Sequence, residues 1–212
     1  AGVVMTDCNL TEDALEWIFT MAGHLPVFVD AVSEFKADKI RPWLSRIHTL
    51  KPTLKELQIL WGQPIRREAD KFAALKSLHE QGVQRIFICL DNESVFCSKH
   101  DGEQHLLNSP DHLAVDRFGA DDAFMAGLVY SFMDGGDFME CAYFAMACVT
   151  ISFAIASVLY LALFAENALS LLLAPPSRSC LVFFHPASLY ANPIKNPPMP
   201  ALTRLRIVSP SI

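Results

Sequence analysis

The 212-residue chain has no C-x-x-C pair among its six cysteines (Cys8, Cys89, Cys97, Cys141, Cys148 and Cys180) and no H-x-x-x-H among its seven histidines. Those absences remove the usual zinc frameworks and the dithiol redox motif. Scattered thiols read as reduced, which fits a cytoplasmic protein, and no secretory signal precedes the first apolar segment. Positive charge is scarce: 17 Lys and Arg stand against 23 Asp and Glu, for a formal net charge of -6. A nucleic-acid surface needs clustered cations, and no basic run interleaved with aromatics occurs, so nucleic acid is not an expected partner. There is no G-x-x-x-x-G-K-[ST], so phosphate binding by a Walker-type loop is excluded. No internal repeat is present.

Charge is also missing between Cys141 and Ala165, where the run is mostly apolar. Uncharged apolar runs of about 18 residues or more are candidate membrane spans. Asp134, Asp137 and Glu140 before it, and Arg178, Lys195, Arg204 and Arg206 after it, would put the C-terminus in the cytoplasm. The competing reading is two consecutive buried helices of an α/β domain, which is the expectation adopted here, with no membrane partner.

Short apolar runs alternate with helical patterns over the first half of the chain. Val3–Thr6, Val27–Asp30, Ile47–Leu50 and Arg85–Leu90 read as strands. Helices are expected from Asn9 and Glu12 to about Gly23, from Thr53 to Trp61 and from Ala69 to Glu80, with Gly62 and Gly82 as stop signals. Ser94–Ser98 and Gln104–Leu107 flank His100-Asp101-Gly102, a hairpin signal. The predicted fold class is α/β, a mostly parallel central sheet flanked by helices with an antiparallel hairpin. Eight of the thirteen prolines lie between Pro175 and Pro210. Residues 1–173 are therefore read as the domain and 174–212 as a Pro-rich irregular tail, which Phe183, Phe184 and Tyr190 could pin onto it.

Two stretches bear chemistry. Asp116-Arg117-Phe118-Gly119-Ala120-Asp121-Asp122-Ala123-Phe124 is a small-residue turn entering an apolar helix. The unpaired N–H groups and dipole of such a helix start favour an anion, and a carboxylate at its edge can act as a base. Asp121 and Asp122 could equally be simple helix caps. Lys51-Pro52-Thr53-Leu54-Lys55-Glu56 closes the third strand and opens a helix. Thr53 and Glu56 have capping-box spacing, which by itself accounts for both residues. In parallel sheets ligands bind at the carboxyl ends of strands, where the Gly119 turn should lie.

The first stretch resembles D-T-x-G-A-G-D-x-F, the signature of the ribokinase-like (pfkB) carbohydrate and nucleoside kinases. Asp116, Gly119, Ala120, Asp122 and Phe124 match; Arg117 replaces the Thr and Asp121 the second Gly. Pro52 and Glu56 match the family's P-N-x-x-E, with Thr53 in place of Asn, about 65 residues before Gly119. Asp7–Ile18, His48–Leu54 and Phe118–Asp122 are similar to the pseudouridine kinases of enteric bacteria.

The resemblance implies the C-terminal portion of a ribokinase-like kinase domain. It further implies ATP-dependent phosphorylation of a sugar or nucleoside hydroxyl, with the 5′-hydroxyl of pseudouridine as the expected acceptor; the alternative reading is a non-catalytic α/β nucleotide-binding remnant. Asp122 would be the catalytic base, and Gly119, Ala120, Asp121, Thr53 and Asp91 would lie along the nucleotide. Glu56 would hold Mg2+ through water. It places the sugar-binding G-G motif and the lid outside this sequence, and homodimerisation through the exposed sheet edge is expected. After Cys148 the polar, Asn- and Gly-containing segments of the family give way to Phe153–Ala156 and Val158–Phe164, a pattern expected of a truncated or altered gene product.

Overall fold

The structure is a computed structural model describing residues 2–90, 94–108, 119–162 and 181–182. Its strands and helices follow the order β1 (Val4–Asp7), α1 (Glu12–Met21), β2 (Val27–Asp30), α2 (Glu34–Ala37), a 3-10 segment (Asp38–Arg46) and β3 (Ile47–Lys51). Then come α3 (Leu54–Trp61), α4 (Glu68–Glu80), β4 (Arg85–Cys89), β5 (Val95–Lys99), β6 (Gln104–Leu107), α5 (Ala120–Met133), α6 (Phe138–Ala162) and β7 (Leu181–Val182). One sheet runs β6-β5-β4-β3-β2-β1-β7. β1 to β4 and β7 are parallel, and β4, β5 and β6 pair antiparallel. The predicted α/β class and hairpin are both present. Leu181 and Val182, within the stretch read as tail, pair with β1.

The strands are short and nearly all apolar because both faces of the sheet are covered. Val4, Val27, Val29, Leu50, Ile86 and Ile88 face one core, which α1, α3, α4 and the 3-10 segment close with Leu15, Phe19, Ile40, Leu57, Leu75 and Leu78. Met5, Phe28, Phe87 and Cys97 point to the other, closed by Phe124, Met125, Leu128, Cys141 and Ala145 of α5 and α6. The arrangement follows from handedness. Strands β1 to β4 are added in one direction, so right-handed crossovers leave every connecting helix on the same face. The opposite face is covered by α5 and α6.

That second layer corrects one expectation. The uncharged run from Cys141 does not form two helices; through Ala162 it belongs to the single helix α6. Nor is the helix buried all round, since Tyr143, Phe144 and Ile151 are exposed. Among the described residues no helix is long and apolar enough to cross a membrane. The polar segment after β2 holds α2 and the 3-10 segment. These form because Ala37, Ile40 and Leu44 reach the core.

Close approach of α5 to α6 depends on Gly127. A Cβ there would lie 2.7 Å from the Ala145 Cα and 3.1 Å from the Cys148 Sγ. Alanine gains about 1 kcal/mol of helix propensity over glycine, but overpacking a core costs roughly 1–3 kcal/mol. Gly127→Ala is therefore expected to lower Tm in thermal denaturation. A melting temperature at or above the parent's would show that the helices separate freely.

Candidate active site

Because β1, β2 and β3 are parallel and adjacent, their last residues, Asp7, Asp30 and Lys51, end on one edge of the sheet. A cleft of about 150 Å³ opens there, lined by Met5, Asp7, Asn9, Asp30, Val32, Lys51, Thr53, Glu56, Asp121 and Asp122. Among the described residues, five carboxylates thus face a single ammonium. Thr53, Glu56, Asp121 and Asp122, picked out from sequence, are brought together. Gly119 and Ala120 begin α5 beside them, while Asp91 and Asp116–Phe118 lie outside the described residues.

Lys51 is the hub. Its side chain is only 4% exposed, and its Nζ lies 3.0 Å from Asp30 Oδ2 and 2.9 Å from Asp121 Oδ1. Burial alone would pull its pKa down, but Asp30 overrides this and Asp121 adds to the effect, so the ammonium is held firmly protonated. Burial pushes the Asp30 carboxyl up, opposed by Lys51 and by the N–H of Val32, which donates to Asp30 Oδ1 at 3.0 Å. Val32 adopts φ 65°, the only non-glycine residue of positive φ among those described. A β-branched residue there is strained by about 1–2 kcal/mol. The strain brings its N–H onto Asp30 and its side chain to the wall of the cleft.

Glu56 is buried at the start of α3, where the capping box is complete. The Thr53 N–H donates to Glu56 Oε2 at 2.8 Å, and the Glu56 N–H donates to Thr53 Oγ1 at 3.3 Å. The two residues of the cap therefore also line the cleft. Burial raises the Glu56 carboxyl above its ordinary range, with the Thr53 N–H opposing. On the β1 side, the Asn9 N–H donates to Asp7 Oδ1 at 2.8 Å, and Lys36 Nζ donates to Asn9 Oδ1 at 2.6 Å.

Helix α5 begins with Gly119 at φ 80°, a left-handed conformation in which a Cβ would be strained even though nothing lies within 4 Å of it. Asp121 and Asp122 occupy the first turn, where the helix dipole favours negative charge. Asp122 is an exposed residue, yet partial desolvation raises its carboxyl, with Lys51 opposing and Asp121 and Asp7 adding to the rise. The thiol of Cys89, pushed up to about 12 by burial, is neutral, and burial raises Cys8 further.

A second cavity, about 420 Å³, is lined by Leu107, Asn108, Tyr143, Met146, Ala147, Thr150 and Ile151. It belongs to the same edge of the sheet. β6 runs parallel to β4 through two antiparallel pairings, so Leu107 ends where β1 to β4 end. Helices α5 and α6 are joined by a short turn and touch at Gly127 and Ala145. Equal counts along the two antiparallel helices bring Ala120 to the level of Thr150 to Ser152. The first turn of α5 thus lines the polar cleft, and the apolar groove on α6 opens at about the same level.

Residues 1–154 match the model of the pfkB family carbohydrate kinases. The chain belongs to the pfkB carbohydrate kinase family. It is 61% identical over 171 residues to the uncharacterized sugar kinase YeiI of Escherichia coli, covering 81% of this chain and 47% of that protein. It is 36% identical over 152 residues to the Escherichia coli pseudouridine kinase, covering 72% and 49%. The chain spans about half the length of these curated relatives. Among solved structures, Arabidopsis thaliana ribokinase, complexed with ribose and ATP, superimposes with a TM-score of 0.61. The match is at 23% identity over 70% of this chain and 47% of that one, and it shows a shared fold.

Asp7, Asp30, Val32 and Lys51 were not singled out as site residues from this pfkB sequence. A signal existed: each of the three buried strands ends abruptly on an ionisable residue.

The two functions of the Thr53–Glu56 pair can be separated. Thr53→Ala removes the cap and is expected to cost about 1 kcal/mol of stability in denaturant titration. Glu56→Gln keeps an acceptor for the Thr53 N–H and is expected to hold most of that stability. Equal losses in both variants would mean that the charge of Glu56, rather than its hydrogen bond, secures the helix start.

Proposed function

We propose that this pfkB chain forms the phosphoryl-transfer half of an ATP-dependent kinase acting on a sugar or nucleoside hydroxyl. The observation that carries the reading is one helix start, α5, lining a polar cleft at about the level of an apolar groove on α6. An elongated ligand with a planar apolar end and an anionic tail fits that geometry. The groove suits a nucleoside base, and the N–H groups of the first turn suit phosphate oxygens. The complex of Arabidopsis ribokinase with ATP supports the choice of nucleotide. Pseudouridine is the first acceptor to test, since a relative of 36% identity is a pseudouridine kinase.

In this reading Asp122 accepts the proton of the acceptor hydroxyl. The acceptor oxygen bonds to the terminal phosphorus as the bond from that phosphorus to its bridging oxygen breaks, and ADP leaves. The N–H groups of Ala120 to Asp122 and the charge of Lys51 stabilise negative charge on the transferring oxygens. The cleft also bears on the metal. No three His, Cys, Asp or Glu among the described residues are arranged to ligate an ion directly, yet the excess of carboxylates demands a counter-cation beside any phosphate. Glu56 would hold Mg2+ through water, and the ion would neutralise phosphate charge when bound. Asp91 is carried with this proposal as a nucleotide contact.

Asp122→Asn is expected to lower kcat about 10²- to 10⁴-fold, the range for loss of a general base, with ATP binding held within a few-fold. Asp122 must be ionised to act and its pKa is raised. The parent rate should therefore fall as pH drops through a range above that of an ordinary aspartate. Coupled measurement of ADP release with pseudouridine, magnesium and ATP reads both effects. A variant turning over at the parent rate would remove Asp122 from the mechanism. A cooperative melt that magnesium and ATP leave unmoved would remove the nucleotide.

A further inference from the structure

The contact between Lys51 and Asp121 joins a side chain that cannot reach water to one that is already in it. Lys51 is 4% exposed, whereas the Asp121 side chain is 70% exposed. The two carboxylates on the ammonium are therefore unequal. Asp30, 12% exposed and held also by the Val32 N–H, is fixed. Asp121 is bound by one oxygen at the surface, the class of ion pair whose net worth is small because water competes for both groups. Its release costs little at its own end. At the other end the buried ammonium would lose an acceptor that water cannot easily supply. The arrival of another anion at Lys51 is what makes the departure of Asp121 favourable.

The position of Asp121 says which anion. It is the second residue of α5, at the helix start that also favours phosphate oxygens. A phosphate there and the Asp121 carboxylate compete for the same cation and the same end of the dipole. Resting on the phosphoryl-transfer reading above, we propose that Asp121 is an exchangeable cover on Lys51. A nucleotide phosphate oxygen displaces the carboxylate, and Lys51 then grips the phosphate directly. Binding is an exchange of anions rather than an addition to a cleft already holding five carboxylates. Swinging Asp121 out to water removes one of those charges as the phosphate enters.

Calorimetric titration of the full chain with magnesium and ADP tests this. Asp121→Asn keeps the size of the side chain and removes the competing charge, and is expected to tighten ADP binding about five- to tenfold. In a background of Lys51→Met with Asp30→Asn, which removes both buried charges together, the gain from Asp121→Asn should vanish. Equal affinity of Asp121→Asn and parent would overturn the exchange while leaving the anion site standing. A gain that persists in full without Lys51 would overturn it too, because relief of general repulsion would then suffice. Absence of ADP binding in both parent and Asp121→Asn would overturn the exchange together with the nucleotide reading. Should the double-substituted background fail to fold, a crystal structure of the parent with magnesium and a non-hydrolysable ATP analogue decides. Lys51 Nζ on a phosphate oxygen with Asp121 turned away is the expected result. Asp121 still on Lys51 would overturn the proposal.

Discussion

A buried ammonium must keep its partners, and the carboxyl edge of this sheet is arranged around that requirement. Lys51 closes β3 and finds Asp30 at the end of the neighbouring strand and Asp121 on α5, 70 residues away. Breaking a buried pair by removing one partner typically costs about 3–5 kcal/mol, because the remaining charge is stranded. That cost attaches to the buried Asp30–Lys51 pair, while the contact with the exposed Asp121 links the first half of the chain to α5 more weakly. The pairing also fixes the one positive charge among the described residues of the cleft at a point where three strands and a helix start converge. Strand register, helix placement and local electrostatics are not separate features here. Each is a condition for the others.

A second constraint works at shorter range. The capping box of α3 determines where the Glu56 carboxyl sits, since one of its oxygens takes the Thr53 N–H. A carboxylate held by a backbone donor has lost its rotamer freedom before any ligand arrives, which is how a site is preorganised at no further cost in entropy. The strained Val32 does the same for Asp30 by directing an N–H at it. Strain of that kind survives only where the surroundings over-determine it. The fixed Asp30–Lys51 pair supplies such surroundings.

The parts of this arrangement that could be read from sequence are those encoded locally. Period-two and buried strand patterns found β1 to β4, and Asp-Gly found the hairpin. Thr53 and Glu56 announced their cap through spacing. The Gly119 turn and Asp122 were legible because a helix start has a compositional signature. Lys51 with Asp30 and Asp121 was not, because the contact is made by strand order and not by spacing along the chain. Helix α6 was misjudged because it is apolar nearly all round, which leaves no period to mark one helix from two. The segment from Glu34 to Arg46 carries a weak helical signal for the opposite reason. It is polar, holds Pro42, and owes its helical turns to a few side chains that reach the core and to Arg46, which donates to the Phe19 carbonyl.

The departure at position 121 gains its meaning from the backbone. Relative to the family signature this chain has Asp where the second glycine is usual, and a glycine can be needed for its dihedral freedom or for its lack of a side chain. Gly119 is needed for the first reason, with φ at 80°. Position 121 is not: it lies within α5, and Val32 is the only described non-glycine residue of positive φ. Asp121 therefore fits without backbone strain, and the change is electrostatic. It adds a negative charge at a helix start that favours one, beside an ammonium that requires one. The same charge that would repel a phosphate also satisfies the groups that a phosphate would otherwise satisfy. A carboxylate in that position is a competitor rather than a defect, and the geometry of the first turn is kept.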